Sequence, residues 1–280
     1  MIIQINAMRE EHLEQAFGLT QQLTWPHRLV DWRQALQLGE GVVAEQEGEV
    51  LGTASCWRWG SDYASLGLVI VADRAQGKGL GRQLMQTLLQ KLEGYTVRLH
   101  ATEMGMPLYA KLGFAITGGI AQHQCRELGE VDPIEPGPGQ QLRLATPDDL
   151  ELITVLDRQA HGQYRSNLFA NLFDSAERIL LLEEQGKAAG FACLRRFGHG
   201  YLIGPVICRD LPRAKVLIST LLAGLAGQFV RIDTDSGYGL GEWLNSQGLI
   251  IVDRGVTMVR GVPWQPDGML AFGLMSQAMS

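Results

Sequence analysis

The sequence predicts a mixed α/β protein, in which a mostly antiparallel sheet is flanked by helices, built as two similar lobes in tandem. Three observations support this fold class. The first half of the 280-residue chain alternates segments with strand and helix periodicity. The second half repeats parts of the first at a nearly constant spacing. A stretch rich in proline and glycine, VDPIEPGPGQ at residues 131–140, excludes both helix and central strand and divides the halves.

The length also favours two hydrophobic cores over one, because single cores grow with difficulty beyond about 250–300 residues. We therefore expect an N-terminal domain at residues 1–130, a linker at residues 131–140 and a C-terminal domain at residues 141–280.

The elements of the first domain follow in order along the chain. Helical spacing predicts two helices, at residues 9–23 and 30–38. Two alternating segments joined by Glu47 and Gly48 predict a hairpin of strands near residues 42–45 and 51–57. The remaining predictions are a buried strand at 66–71 (LGLVIV), a helix at 80–92, a strand at 97–101, a short helix at 106–112 and a strand near 115–120.

Three blocks of the second half resemble blocks of the first. Residues 45–54 (EQEGEVLGTA) match 183–192 (EEQGKAAGFA) at a shift of 138, residues 66–71 match 203–208 at 137, and residues 112–114 match 247–249 at 135. Blocks in the same order at nearly constant shift indicate duplication. Chance similarity between two α/β domains is the alternative.

Composition excludes several classes of protein. The formal net charge of −6 disfavours a sequence-independent grip on nucleic acid, which needs clustered Lys and Arg. No apolar run approaches the ~20 residues of a membrane span, and the N-terminus has no signal pattern, so we expect a cytoplasmic protein. The four cysteines are scattered without metal-ligand spacing, which predicts buried apolar residues and no metal site.

The strongest local motif is VADRAQGKGLGRQL at residues 71–84, where a predicted strand runs through a glycine-rich loop into a helix. Amides at a helix N-terminus lack intrahelical partners and lie at the positive end of the helix dipole, so such a junction binds anions. Glycine at alternate positions lets the backbone approach a phosphate closely. The motif therefore predicts a phosphate site.

The spacing of the loop selects among phosphate-binding families. The P-loop pattern is absent because Lys78 is followed by Gly79, and a dinucleotide fingerprint fails because Arg82 stands at its third glycine position. What remains is Gln-x-x-Gly-x-Gly, from Gln76 to Gly81. This pattern resembles the pyrophosphate-binding signature of the GNAT acetyltransferase superfamily.

A second motif supports the resemblance. The segment TEMGMPLYAKLGF at residues 102–114 carries Tyr109 in a short predicted helix that ends at Leu-Gly-Phe, which resembles the Tyr-x-x-x-Gly-Phe element of the family. The resemblance covers roughly residues 5–125. It implies that Tyr109 protonates the departing CoA thiolate, a role that suits a phenol with an ordinary pKa near ~10.

The resemblance also implies a set of acetyl-CoA contacts. Backbone groups of Val69, Ile70 and Val71 would pair with the pantetheine arm as an added strand, and amides of the loop would hold the pyrophosphate. Lys78 and Arg82 would either add charge near the 3′-phosphate or remain solvated loop cations. The implied cofactor-binding residues are Val69, Ile70, Val71, Gln76, Gly77, Lys78, Gly79, Leu80, Gly81 and Arg82.

The sequence does not identify the general base as clearly as it identifies the phosphate loop. His100, at the end of a predicted strand, is the best candidate because imidazole exchanges protons near pH 7. Asp62, His27 and Asp31 are weaker candidates for the acceptor pocket, and a chain of water molecules is an alternative to any side chain.

The second half is expected to lack the cofactor equipment. A constant register places Val216 and Ile218 opposite Gly79 and Gly81, and it places Arg213 opposite Gln76. Shifts of 135 and 133 place Leu244 opposite Tyr109 and Asp233 opposite His100, respectively. We therefore expect a degenerate GNAT-like lobe that completes the acceptor pocket or packs against the first lobe.

The sequence thus predicts an acetyl-CoA-dependent N-acetyltransferase in which a primary amine attacks the thioester directly. A non-catalytic acyl-CoA-binding module and a phosphate-only binder are the alternatives. A small molecule and a peptide are both open as the acceptor, and the acidic balance leans slightly toward a cationic or amine-bearing one. A homodimer is compatible with the resemblance, because GNAT-like lobes often associate.

Overall fold

The computed structural model describes residues 2–280 and contains eight helices and thirteen strands in that range. The first lobe confirms the predicted order of elements, with an additional first strand. Its strands are β1 (Gln4–Ala7), β2 (Glu40–Gln46), β3 (Glu49–Trp59), β4 (Tyr63–Val71), β5 (Thr96–Ala101) and β6 (Ala115–Cys125). Its helices are α1 (Leu13–Gln22), α2 (Leu29–Leu38), α3 (Leu80–Lys91) and α4 (Met106–Lys111).

The second lobe repeats this order. Its strands are β7 (Gln140–Leu144), β8 (Arg178–Glu184), β9 (Lys187–Phe197), β10 (Gly200–Cys208), β11 (Val230–Asp235), β12 (Ile250–Arg260) and β13 (Leu270–Gly273). Its helices are α5 (Leu150–His161), α6 (Ser166–Ser175), α7 (Leu211–Leu222) and α8 (Gly241–Ser246). The β2–β3 and β8–β9 hairpins differ by a shift of 138 and β4 and β10 by 137, as the repeat predicted.

The two lobes share one sheet because they exchange strands. The order is β1-β2-β3-β4-β5-β12-β6-β11-β13-β10-β9-β8-β7, so β12 of the second lobe pairs with β5 of the first. In return, β6 of the first lobe pairs with β11 of the second, and β6 and β12 pair with each other. Ile120 of β6 faces its own repeat counterpart, Gly255, so a pseudo-twofold axis passes through this pair.

The segment at residues 131–140 contacts the second lobe. Val131 is buried in the core of that lobe, and the amide of Ile134 donates to the hydroxyl of Ser219 at 2.9 Å. Gln140, the last residue of the expected linker, is the first residue of β7. We propose that this segment divides the two repeats along the sequence, although the lobes exchange strands in space.

Helices cover the sheet and complete two apolar cores. In the first lobe α1 and α2 pack on each other and on β3, while α3 packs on β2, β3 and β4. The second lobe repeats this arrangement with α5, α6 and α7. Trp57 is fully buried in the larger core, and its indole N–H donates to the carbonyl of Ala35 at 2.9 Å. No helix among residues 2–280 is long and apolar enough to cross a membrane.

Candidate functional site

A cavity of about 810 Å³ runs from the glycine-rich loop of the first lobe to the second lobe. One part of its lining comes from β4, the loop before α3, the end of β5 and α4. The opposite part comes from the segment before α2, from β11 and from the chain after β13. The second-lobe residues that line it are Phe197, Leu202, Arg231, Asp233, Asp253, Arg254, Ser276, Gln277 and Ala278.

The glycine-rich loop leaves the N-terminus of α3 open. Gly77 and Gly79 have φ angles of +72° and +77°, which side chains other than glycine adopt only with strain. No heavy atom lies within 4 Å of the position that a Cβ would take at either residue, so the space above the loop is free. Gly79 caps α3 without a side-chain hydrogen bond. The first amides of α3 are therefore available to an anion.

The polar side chains of this loop have different positions. The amide of Gln76 donates to the carbonyl of Val71 at 3.2 Å and to the carboxylate of Asp73 at 3.0 Å, so this side chain braces the loop. Gln76 and Arg82 line the cavity, whereas Lys78 is exposed and lies outside the lining. Of the two loop cations, Arg82 is thus the one placed toward the cavity.

Strand β4 has a free edge beside this loop. It pairs with β5 only at residues 63–65, so Val69, Ile70 and Val71 have no strand neighbour on that side within residues 2–280. A bulge precedes them, where Leu68 adopts a φ of +52° and its carbonyl accepts a hydrogen bond from the Thr53 hydroxyl at 2.7 Å. A left-handed non-glycine residue in a bulge re-aims the backbone groups that follow it.

The second lobe shows what this free edge can hold. By the shift of 137, the counterparts of Val69 to Val71 are Val206, Ile207 and Cys208 of β10. These three residues pair with β13, which lies between β10 and β11. The second lobe thus fills the equivalent gap with a strand of its own, and the first lobe keeps the gap open.

The second lobe also lacks an anion site at the start of α7. Only two residues separate β10 from α7, whereas eight separate β4 from α3. The carboxylate of Asp210 caps α7 by accepting from the amide of Arg213 at 3.1 Å. The expected register was therefore wrong here. Val216 and Ile218 lie inside α7, so the phosphate loop is deleted rather than blocked by branched side chains.

Tyr109, the predicted proton donor, lies on α4. Its side chain lines the cavity and is buried against Phe114, with the ring centroids 6.2 Å apart. Burial raises the pKa of its phenol to about 12, so the hydroxyl is protonated at neutral pH. A Cβ on Gly105 would lie 2.9 Å from the Tyr109 ring, which explains the glycine at that position. The phenol can therefore donate a proton into the cavity.

His100 also lines the cavity, but it is poorly suited to be a base. Burial and the nearby Arg98 hold its pKa well below the ordinary value, so the imidazole is neutral at pH 7. Its Nδ1 atom is 3.1 Å from the Thr257 hydroxyl, and its Nε2 atom is buried without a partner. A base with a strongly lowered pKa holds a transferred proton weakly. The role of His100 as the general base stays a prediction, and its lowered pKa disfavours that role.

The weaker candidates for the acceptor pocket differ in whether they line the cavity. His27 lines the cavity, and burial lowers its pKa to about 4. Asp31 is bound by Arg28 through three hydrogen bonds, and exposed Asp62 lies outside the lining. Leu244 occupies the position of Tyr109 in the second lobe, within a helix that matches α4, as the repeat predicted.

No local motif indicated the polar cluster at the second-lobe end of the cavity. Gln277 donates to Gln122 and to Asp233, each at 3.4 Å, and all three residues line the cavity. Asp233 alone was foreseen, as the counterpart of His100. Gln122 and Gln277 reach the site through the strand exchange and through the chain after β13, which no local pattern indicates.

These features define the class of protein. An open helix N-terminus, an unpaired strand edge and a protonated phenol share one cavity between two α/β lobes, and this combination suits an acyltransferase.

Comparisons with known proteins give the family. Residues 37–116 and 153–271 each match a family model described as an acetyltransferase (GNAT) domain. A Bacillus subtilis protein, described as the uncharacterized N-acetyltransferase YitH, is 29% identical over 82% of this chain and 81% of its own length. The crystal structure of a Pyrococcus horikoshii protein, 20% identical, covers 99% of this chain and 96% of its own with a TM-score of 0.79, which supports the fold.

A shorter match to a curated protein supports the same family. The L-methionine sulfoximine/L-methionine sulfone acetyltransferase of Pseudomonas aeruginosa is 37% identical over 91 residues, which cover 29% of this chain and 53% of that protein. The two family matches together cover more than half of the chain. The chain therefore belongs to the GNAT acetyltransferases and carries two such domains in tandem.

Proposed function

We propose that this protein transfers the acetyl group of acetyl-CoA to a primary amine by direct attack, using only the site of the first lobe. The observation that carries the proposal is the contrast between the lobes. The first lobe has an open loop at the N-terminus of α3 beside an unpaired edge of β4, whereas the second lobe has deleted the loop and filled the edge with β13. One cofactor per chain follows.

The residues of the first lobe fit acetyl-CoA. Amides from Gly77 to Arg82 would hold the pyrophosphate, with Gln76 bracing the loop and Arg82 adding charge. Backbone groups of Val69, Ile70 and Val71 would pair with the pantetheine arm, because their second-lobe counterparts pair with β13. Exposed Lys78 would contribute only long-range charge. When bound, acetyl-CoA supplies an activated acyl thioester.

Tyr109 supplies the acid. Its phenol stays protonated far above neutral pH, so it can give a proton to the thiolate that leaves. Backbone amides at the β4 bulge around Leu68 would stabilise negative charge on the carbonyl oxygen during attack. His100 and His27, both neutral, would accept hydrogen bonds from the amine, and water would carry its proton away.

The acceptor enters from the second-lobe side of the cavity. The partial relative named for methionine sulfoximine and methionine sulfone supports a small molecule over a protein as acceptor. The polar residues Gln122, Asp233 and Gln277 at that end would orient it.

Calorimetric titration tests the cofactor assignment. We expect one acetyl-CoA to bind per chain, and desulfo-CoA to bind comparably, while ATP and NAD bind at least tenfold more weakly. A panel of amines then reports CoA release with a thiol reagent. Failure of acetyl-CoA to bind, or two equivalents bound per chain, would contradict the proposal.

A further inference from the structure

Two ion pairs are buried between the lobes. Arg165 is 1% exposed and donates to the carboxylate of Asp157 at 2.8 and 2.7 Å. Arg231 is 7% exposed and donates to the carboxylate of Asp233 at 3.1 and 2.9 Å. Each of these guanidinium groups is neutralised by one carboxylate, so the two pairs add no net charge to the interior.

Two further guanidinium groups have no carboxylate partner, that of buried Arg195 and that of half-buried Arg98. No carboxylate of residues 2–280 lies within 4.0 Å of Arg98 or Arg195. The Nε atoms of both are inaccessible to water and unpartnered, and Arg195 donates only to the carbonyl of Met275. Burial lowers the pKa of both groups, which reflects the cost of keeping a charge there.

The repeat explains why Arg98 has no partner. Arg98 faces Ser65 across β4 and β5, and Arg231 faces Leu202, the counterpart of Ser65, so the two arginines are equivalent. Two residues farther along each strand, the second lobe has Asp233 and the first lobe has His100. A neutral imidazole therefore replaces the carboxylate on the side that carries the candidate active site.

Other nearby charges do not cancel this excess. Asp31 is already paired with Arg28 at 2.8 Å. Glu103, Asp253 and Arg254 line the cavity at its exposed mouth, where water and salt screen them. Burial lowers the pKa of His27 and of His161 to about 4, so these imidazoles are neutral as well. Half-buried Asp235 offsets part of the charge of Arg98 without forming an ion pair with it, whereas Arg195 keeps its charge. The region between the lobes thus carries an excess of positive charge.

The cavity also presents unsatisfied polar atoms. Nδ1 of His27 and Nε2 of His100 are buried without partners, and both residues line the cavity. Buried polar atoms in folded proteins nearly always have partners, so these two atoms are exceptions beside the cavity. Arg231 and Asp233 line the same end of the cavity, so a ligand there meets a guanidinium group and a carboxylate together.

We propose that the acceptor is a small amino carboxylate, a molecule that carries both the amine to be acetylated and an anionic carboxylate. This inference rests on the proposed function. The carboxylate would bind beside Arg231 and compensate the excess charge of its neighbour Arg195, since a buried charge is costly without an opposite one. Arg98 would add to the positive field from farther away. The same positive field lowers the pKa of the bound ammonium group, so more of it is the nucleophilic free base.

The local charge narrows the weak lean that came from overall composition. A net charge of −6 favoured a cationic or amine-bearing acceptor, but that charge belongs to the whole chain. At the acceptor end, the buried guanidinium groups determine the field because little water screens them. Polyamines are therefore excluded by the proposal.

Matched pairs of acceptors test it with the full chain. L-leucine is compared with 3-methylbutylamine and L-phenylalanine with 2-phenylethylamine, with spermidine as a polycation, and kcat/KM is expressed per concentration of free-base amine. We expect each amino acid to exceed its decarboxylated partner at least tenfold. A preference for the decarboxylated amines or for spermidine would overturn the inference.

A binding experiment separates this inference from the proposed function. The desulfo-CoA complex is titrated calorimetrically with L-leucine and with 3-methylbutylamine. Failure of acetyl-CoA itself to bind would overturn the proposed function. If acetyl-CoA binds but L-leucine does not bind the desulfo-CoA complex and neither amino acid becomes acetylated, only the inference about the acceptor fails.

Variants of Arg98 identify the source of the preference. Arg98→Met should reduce the ratio of kcat/KM between each amino acid and its amine several-fold, and Arg98→Lys should keep it. A purely structural role would lower both rates alike and leave the ratio unchanged, which would overturn the inference for Arg98. His100→Asp gives Arg98 a carboxylate, as in the second lobe, and should also reduce the ratio where Arg98→Met does not fold.

Discussion

The Cα atom of Ala278 lies 2.8 Å from the position that a Cβ atom on Gly67 would occupy. Gly67 belongs to β4, next to the bulge at Leu68, and Ala278 belongs to the chain that follows β13. The second lobe therefore reaches the first-lobe site through its last residues. Carbonyls of Met275 and Met279 hold these residues by accepting from Arg195 and Arg165.

Gly67→Ala should displace this segment from β4. Overpacking of this kind costs about 1–3 kcal/mol, and here the atoms in the way belong to backbone. We expect the KM for the acceptor to rise roughly tenfold or more, because Gln277 and Ala278 move, while acetyl-CoA affinity changes little. Steady-state kinetics and calorimetry measure the two effects. Gly18→Ala, in open space on α1, is the control, and an unchanged acceptor KM in Gly67→Ala would refute the role of this segment.

Gly79→Val should abolish tight acetyl-CoA binding. A branched side chain would project into the free space above the loop and would strain a residue whose φ is +77°. We expect affinity to fall by a factor of about 100 or more. Gly94→Val is the matched control, since Gly94 has a φ of +86°, open surroundings and a place outside the cavity lining. Equal losses of affinity in both variants would mean that strain, not the loop, is responsible.

The sequence predicted the elements of the first lobe well because each has a local signal. LGLVIV marks β4 by its apolar run, and Gly79 and Gly81 mark the start of α3 by their spacing. The self-comparison added the second lobe at the correct shift for its hairpin and for β10. These features depend on neighbours in sequence, so one chain sufficed to find them.

The strand exchange and the role of β13 were not predictable in the same way. The residue pattern of β12 is compatible with a place beside β5 or beside β11, because either strand could be its antiparallel neighbour. β13 has only four residues, which carry no periodicity. The deletion of the loop before α7 was also not predicted, because an alignment of the two halves at a constant shift assumes that no residues are missing. The acceptor end of the site depends on these long-range pairings.

Tyr109→Phe should leave acetyl-CoA binding unchanged and lower kcat. General-acid catalysis contributes a factor of about 10²–10⁴, so we expect a fall of at least 100-fold. Because the phenol pKa is raised to about 12, the parent protein should show no loss of rate from this group up to pH 10. Tyr95→Phe, outside the cavity lining, is the control. A pre-steady-state acetyl-transfer rate equal to that of the parent would exclude the acid role.

Three imidazoles with lowered pKa values, one buried and two half-buried, should make the fold sensitive to acid. Burial lowers the pKa of His27 and His161 to about 4, and that of His100 lies well below the ordinary value. The unfolded chain therefore binds more protons than the folded one as the pH falls below about 6.5. The contribution of these imidazoles to the free energy of unfolding should therefore be fully present above about pH 6.5 and should decline steadily toward pH 4.

The expected loss follows from the shift. One pKa unit corresponds to about 1.4 kcal/mol, so His27 alone would account for roughly 3 kcal/mol between pH 7 and pH 4. Urea unfolding at pH 7.5, 6.0 and 5.0 measures the slope. His27→Gln should make the slope shallower, whereas the same change at exposed His199 should not. We attribute the dependence of stability on pH to an imidazole that stays uncharged in the folded state. Equal slopes of unfolding free energy against pH in the parent and in His27→Gln would therefore show that His27 is protonated in the folded protein without a loss of stability.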